Sequence, residues 1–218
     1  MRLALRDHGL LLEADAALPN VAALVAGSPV RGSWWSHPAG RAIYAVTQML
    51  ERHPDALAVR LVGGKVTWVH RRLWPALVAV ATAGAAWQTA ALSPAARRLL
   101  AQLECEGEVR ASGPAARVLQ ERLLAVGVQV HTEEGHHELR LKTWKRWAAA
   151  DVLPPPALSP EHGVHLLEEA TRTLGGDAAV ARLPWRRKLR APAGRPRKSA
   201  ARLPKKSGTR RPRRRSPR

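Results

Sequence analysis

Three histidines and three glutamates fall within eight residues of the stretch 128-VQVHTEEGHHELRLKTW-144: His131, Glu133, Glu134, His136, His137 and Glu138. Imidazole and carboxylate at this density are ligand types for zinc, which takes three or four N, S or O donors in tetrahedral geometry. Two features argue against a metal. Adjacent strand residues point to opposite faces, so His136 and His137 do not share one site. The stretch also lacks HExxH or Cys/His spacing. The favoured reading is a polar β-hairpin tip, with a turn at Glu134-Gly135 and cross-strand His–Glu pairs. No metal and no cofactor are expected.

A second constellation joins 33-SWWSHPAG-40 with 65-KVTWVHRRLW-74. Trp34, Trp35, Trp68 and Trp74 are interleaved with Lys65, Arg71 and Arg72, a combination suited to base stacking with phosphate contact. His37 and His70, with Glu51, are the acid–base candidates. Their spacing shows no nucleophile–base–orienter pattern, so catalysis is the lesser reading. In the plainest reading the tryptophans fill the core, His37 and Ser36 cap a helix, and Arg71-Arg72 lies in solvent at a strand end.

The strongest signal is charge segregation. The chain of 218 residues carries a net +19, and residues 182–218 hold 17 Lys/Arg and no Asp/Glu. The remaining 1–181 has 19 basic against 17 acidic residues. Cations on a flexible chain release condensed counterions from a nucleic acid, which gives affinity without sequence readout. Arg186, Arg187, Lys188, Arg195, Arg197, Lys198, Arg210, Arg211, Arg213, Arg214 and Arg215 are the expected phosphate contacts. A segment so poor in apolar residues cannot bury enough surface to fold alone and is expected to be disordered. Within it, 193-AGRPRKSA-200 resembles the AT-hook core, Gly194-Arg195-Pro196 followed by basic residues, which implies contact along an A·T minor groove. The following 201-ARLPKKSGTRRPRRRSPR-218 resembles histone-H1-like tails in composition.

The elements that must carry these residues are legible from caps and alternation. Asn20 caps a short helix ended by Gly27, and a longer helix over 38–53 buries Ile43, Val46 and Leu50. A hairpin over 57–70 turns at Gly63-Gly64, and Pro75 opens an apolar helix. Ser93-Pro94 starts a helix over 94–107. The extended 108-EVRAS-112 follows, then a helix over 114–127 ending at Gly127, then the ribbon over 128–142. This order over 93–142 resembles a winged helix, with only 108–113 available for that family's second helix. The resemblance implies DNA contact by Arg117, Gln120 and Arg122.

The sequence therefore predicts an α+β, helix-rich protein with two small units, each with a β-hairpin, the second winged-helix-like, and a disordered basic tail. The boundaries are 1–88, 93–150, a proline linker and C-terminal helix over 151–181, and the tail over 182–218. Its expected function is non-catalytic nucleic-acid binding, to DNA more than RNA, mainly through the tail. Lys65, Arg71, Arg72, Arg117 and Arg122 are the weaker contacts. The alternative is a nucleic-acid-processing enzyme, a nuclease or base-modifying enzyme, tethered by the same tail. A protein partner for the folded body is the remaining expectation. No membrane partner is expected: the longest apolar run, 73–87, is too short to span a bilayer. Cys105 is the single cysteine, which excludes an intrachain disulfide and fits a reducing cytoplasm, nucleoid-associated in a bacterium.

Overall fold

The structure is a computed structural model that describes residues 2–131, 137–150 and 157–187. In chain order the elements are α1 (Arg2–His8), β1 (Leu10–Leu12), α2 (Val21–Ala26), α3 (Gly40–Glu51), β2 (Ala56–Arg60), β3 (Val66–His70) and α4 (Trp74–Ala81). There follow α5 (Ala86–Thr89), α6 (Pro94–Glu106), β4 (Glu108–Arg110), α7 (Gly113–Glu121), β5 (Val126–His131), β6 (His137–Lys142), α8 (Trp144–Ala150) and α9 (Pro160–Val180). The protein is α+β, with two three-stranded antiparallel sheets of order β1-β3-β2 and β4-β6-β5.

The local signals work as their chemistry dictates. Asn20 accepts from the Ala23 N–H at the start of α2, and Gly27 ends that helix in the left-handed region. Ser93 and Ser159 cap α6 and α9, each ahead of a proline in the first turn. The hairpin pairs Leu57 with Val69 and Val59 with Thr67. Both sheets follow one rule: the strand first in sequence pairs with the third, and the second strand lies on the outside. At least one helix intervenes between first and second strands in each: α2 and α3 in the first unit, α7 in the second.

The strand β1 escapes alternation. Leu10, Leu11 and Leu12 are all fully buried, with Leu10 and Leu12 in the central core and Leu11 in a second cluster with Trp68 and Leu50. A strand covered on both faces has no polar side to betray its period.

The central core is shared rather than confined to either unit. Leu77 and Trp74 of α4, Leu123, Trp144 and Trp147 after the second unit's helices, and Leu167 of α9 form one cluster. α4 is buried along its length and packs on α9. Gly163 permits the approach, because a Cβ there would lie 2.7 Å from the Ala76 carbonyl oxygen.

Two boundaries differ from the sequence expectation. The helix predicted over 114–127 ends at Glu121, not Gly127. Leu123 takes a left-handed φ of 51° while its side chain is fully buried, and its carbonyl accepts from the Trp144 indole at 2.8 Å. Tertiary contacts thus terminate the helix early. Gly127 instead lies in β5, where a Cβ would collide with the Gln120 side chain. Residues 182–187, predicted to belong to the tail, are part of the folded body. Leu183 is fully buried, Pro184 is buried, and the Trp185 ring lies 5.8 Å from that of Trp87. Charge counting merged these residues with the basic run, although two apolar side chains among them dock on the core.

Candidate nucleic-acid interface

The cations at the start of the predicted tail are held by the body. Arg182 donates to both carboxylate oxygens of Asp15, at 2.6 Å and 3.4 Å, and Lys65 donates to Oδ2 of the same carboxylate at 2.8 Å. Burial alone would raise the Asp15 carboxyl. Hydrogen bonds from Arg182, Lys65 and the Ala17 and Leu18 backbone outweigh it and hold the group well below the usual carboxylate range. Arg186 makes a bidentate pair with Glu168 at 2.6 Å and 2.8 Å, and the Trp185 indole donates to the same carboxylate. The Arg186 hydrogen bonds lower the Glu168 carboxyl against its burial. Arg186, expected from the sequence to contact phosphate, is therefore also a structural cation. Arg187 is exposed and has no carboxylate partner among the described residues. Lys188, Arg195, Arg197, Lys198, Arg210, Arg211, Arg213, Arg214 and Arg215 lie outside the described residues.

The weaker cation candidates are engaged too. Lys65 is committed to Asp15. Arg71 lies 4.0 Å from Asp55 and sits over the Trp74 ring, while Arg72 donates to the Asp7 carbonyl. Arg117 pairs with Glu121 at 2.7 Å, one helical turn on. Arg122 donates to the carbonyls of Trp87, Gln88 and Ala90, in α5 and at its C-terminal end. Of Lys65, Arg71 and Arg72, Arg71 lies against a tryptophan ring, while Lys65 is bonded to Asp15 and Arg72 to the Asp7 carbonyl. Arg122 in particular ties α7 to the body instead of facing solvent.

Two of the acid–base candidates, His37 and Glu51, are separated by α3. His37 precedes α3 and Glu51 is its last residue, so the helix puts about 18 Å between them. The Nδ1 of His37 accepts from the Ala39 N–H and that of His70 from the Arg72 N–H. Burial lowers the His70 imidazole below its ordinary value, with Asp55 opposing. Glu51 accepts from Gln48. In the ribbon, His131 and His137 are direct cross-strand partners, and the tip over 132–136, with Glu133, Glu134 and His136, lies outside the described residues.

The tryptophans divide between core and surface. Trp34, Trp68 and Trp74 are buried, whereas Trp35 is 65% exposed. Trp35 stacks on Trp34 with ring centroids 4.0 Å apart and meets Tyr44 at 5.5 Å. Ile43, Thr47 and Leu50 face inward from α3. The opposite stripe carries Arg41, Tyr44, Gln48 and Arg52, spaced as one helical face. Arg41 and Arg52 are exposed with no carboxylate within 4.0 Å among the described residues. Sequence reasoning passed over Arg41, Tyr44 and Arg52. The signal for them was the complement of the apolar face it had already identified.

A cleft of about 350 Å³ lies at the far end of α3, between the first sheet and the second. Arg52 and His53 border it, β2 and β5 form two sides, and Trp68, Trp74 and Trp147 lie behind it, each less than a tenth exposed. Trp74 donates its indole N–H to the Val69 carbonyl. The Trp68 indole N–H is buried with no hydrogen-bond partner, although Trp68 is only 1% exposed. An unmet buried donor of this kind costs on the order of 1–3 kcal/mol. Comparison of the chain with protein-family models, with curated proteins and with solved structures returns no match, and its functional reading therefore rests on these contacts.

Proposed function

We propose that this protein binds nucleic acid without catalysis. The cationic run over 188–218 would supply sequence-independent phosphate contact, and the body would add contacts from the first unit. The observation that carries the reading is the division of charge. Most basic side chains singled out in the body are spent on Asp15, Glu168, Glu121 or backbone carbonyls. The 14 Lys/Arg after Arg187 have no acidic residue among them to neutralise. Such a run favours a polyanion through counterion release. DNA is the preferred partner, because Gly194-Arg195-Pro196 resembles the AT-hook core.

We further read both units as winged-helix-like. The shared strand orders β1-β3-β2 and β4-β6-β5 support this, and the first unit has the two helices between its first strands that the second lacks. In that layout the helix before the hairpin reads the groove. In the first unit this is α3, whose outer stripe of Arg41, Tyr44, Gln48 and Arg52 combines donors, an aromatic ring and cations. The first unit's hairpin tip is not a free wing, since the Gly63 N–H donates to the Arg182 carbonyl.

The test compares the full chain with a chain ending at Arg187, on a duplex, an A·T-rich duplex and an RNA of equal length across a salt series. The full chain should show a steep fall of affinity with salt. Loss of residues 188–218 should flatten that slope and lower duplex affinity by at least about a hundredfold at low salt. Equal affinities and slopes for the two chains would remove the tail from the mechanism.

A further inference from the structure

The stack of rings ahead of α3 is open at one end. Trp34 is buried in a cluster with Ala22, Val30 and Ile43. Trp35 lies on its outer face, with centroids 4.0 Å apart and planes 23° from parallel. With one face on Trp34, an exposure of 65% leaves the opposite face of Trp35 in solvent. The Tyr44 ring stands beside it at 5.5 Å, tilted by 43°.

The backbone holds this platform in place. Trp34–Ser36 is a single 3-10 turn, in which the Trp34 carbonyl accepts from the His37 N–H at 3.1 Å. The His37 carbonyl in turn accepts from the Gly40 N–H at 2.7 Å. Gly40 lets the turn close onto the start of α3, because a Cβ there would lie 2.9 Å from the Trp34 carbonyl oxygen. A ring fixed in this way has little freedom left to lose on binding.

The surroundings select the ligand. Residues 16–50 contain Arg31 and Arg41 and no Asp or Glu. Both arginines are exposed with no carboxylate within 4.0 Å among the described residues. Arg41 lies one turn from Tyr44 on the same face of α3. Met49, the other exposed large apolar side chain of α3, is turned about 140° from Tyr44 around the helix. Two rings bordered by Ser33, Ser36 and Arg41 fall far short of the apolar centre of a protein interface, which covers about 800 Å² per partner. A nucleobase needs one open ring face, and its phosphate needs a nearby cation. Bases inside a duplex have both faces covered by their neighbours, so an open ring takes an unpaired base.

We propose that Trp35 stacks on one unpaired base of a single-stranded segment, extending the Trp34–Trp35 stack, with Tyr44 beside the base and Arg41 on its phosphate. The inference rests on the nucleic-acid reading above and gives the body a preference that the cationic run lacks.

The experiment uses the full chain with a single-stranded DNA oligonucleotide carrying one 2-aminopurine, and a blunt duplex of the same length, at fixed salt. Trp35→Ala removes the platform and Trp35→Phe keeps a smaller ring. Thermal melting checks that each variant is folded. Wild type should quench the 2-aminopurine of the single strand. Trp35→Ala should lower single-strand affinity about tenfold and relieve the quenching while leaving duplex affinity unchanged, and Trp35→Phe should fall between. Equal single-strand affinities for wild type and Trp35→Ala overturn the platform alone, as does an equal loss on the duplex. Self-association of the nucleic-acid-free chain in sedimentation, lost in Trp35→Ala, would assign the face to a second copy and overturn the platform too. Failure of the full chain to bind either form overturns the nucleic-acid reading and the platform together.

Discussion

Arg182 and Asp15, 167 positions apart, are joined by a 2.6 Å hydrogen bond between Nη2 and Oδ2. Asp15 lies between β1 and α2, and Arg182 follows α9. Their pairing, with Lys65 on the same carboxylate, fastens the end of the described body to the tip of the first hairpin. The folded protein therefore includes residues 182–187.

Chains ending at Arg187 and at Ala181 should behave differently. The first keeps Leu183 in the core and should melt like the full chain. The second loses Leu183, the Trp185–Trp87 contact and the Asp15 partner, and should be less stable by about 4 kcal/mol. Urea unfolding of both chains measures this, and equal midpoints would show that residues 182–187 contribute nothing.

Acid should unfold the protein partly through Asp15 and Glu168. Both carboxyls are held below their unfolded values near 4. Their stabilisation is complete at neutral pH, fades as pH falls below about 5, and is gone once pH passes under the folded values. Asp15→Asn should cost about 1–3 kcal/mol at pH 7. It should also flatten the acid limb of the stability curve, read by urea midpoints between pH 7 and pH 3. An unchanged acid limb would show that Asp15 carries none of the linkage.

Gly64→Ala should loosen the contact between the units. Gly64 has φ of 71°, and a Cβ would lie 2.8 Å from the Glu121 carboxylate of α7. The left-handed conformation and the crowding together should cost about 1–3 kcal/mol. Gly84→Ala, at φ of 64° with open space around it, isolates the backbone share. A cost for Gly64→Ala no greater than that for Gly84→Ala would mean Glu121 simply moves aside.

Trp35→Ala separates binding from folding. Trp35 is 65% exposed, so its removal should change the melting temperature by no more than a few degrees. Single-strand affinity should fall about tenfold if its face stacks on bases. Fluorescence anisotropy with a labelled oligonucleotide reads the outcome, and an unchanged affinity would confine Trp35 to packing on Trp34 and Tyr44.

Much of the secondary structure was legible because its causes are local. Asn20, Ser93 and Ser159 cap helices by bonding a backbone N–H three residues on, and Gly63-Gly64 turns the first hairpin. The misses share a different cause. β1 has no alternation to read because both faces are covered, and α7 stops before its glycine because Trp144 and the core hold Leu123 in place. The candidate site was the least legible part: His37 lies just before α3 and Glu51 is the last residue of that helix. Trp68, Ala58 and Gln129 come from two different sheets.

The sequence by itself determined the α+β class, the helix starts, the two hairpins and the segregation of charge toward the C-terminal end. These depend on residue type, local spacing and composition, which act over a few bonds or add along the chain. Only the tertiary structure decided which cations are neutralised, which tryptophan is exposed, that residues 182–187 join the body, and that β2 and β5 border one cleft. Those outcomes depend on which surfaces meet. A carboxylate such as Asp15 selects its partners by distance in space, and nothing within a few residues of it encodes a pairing 167 positions away.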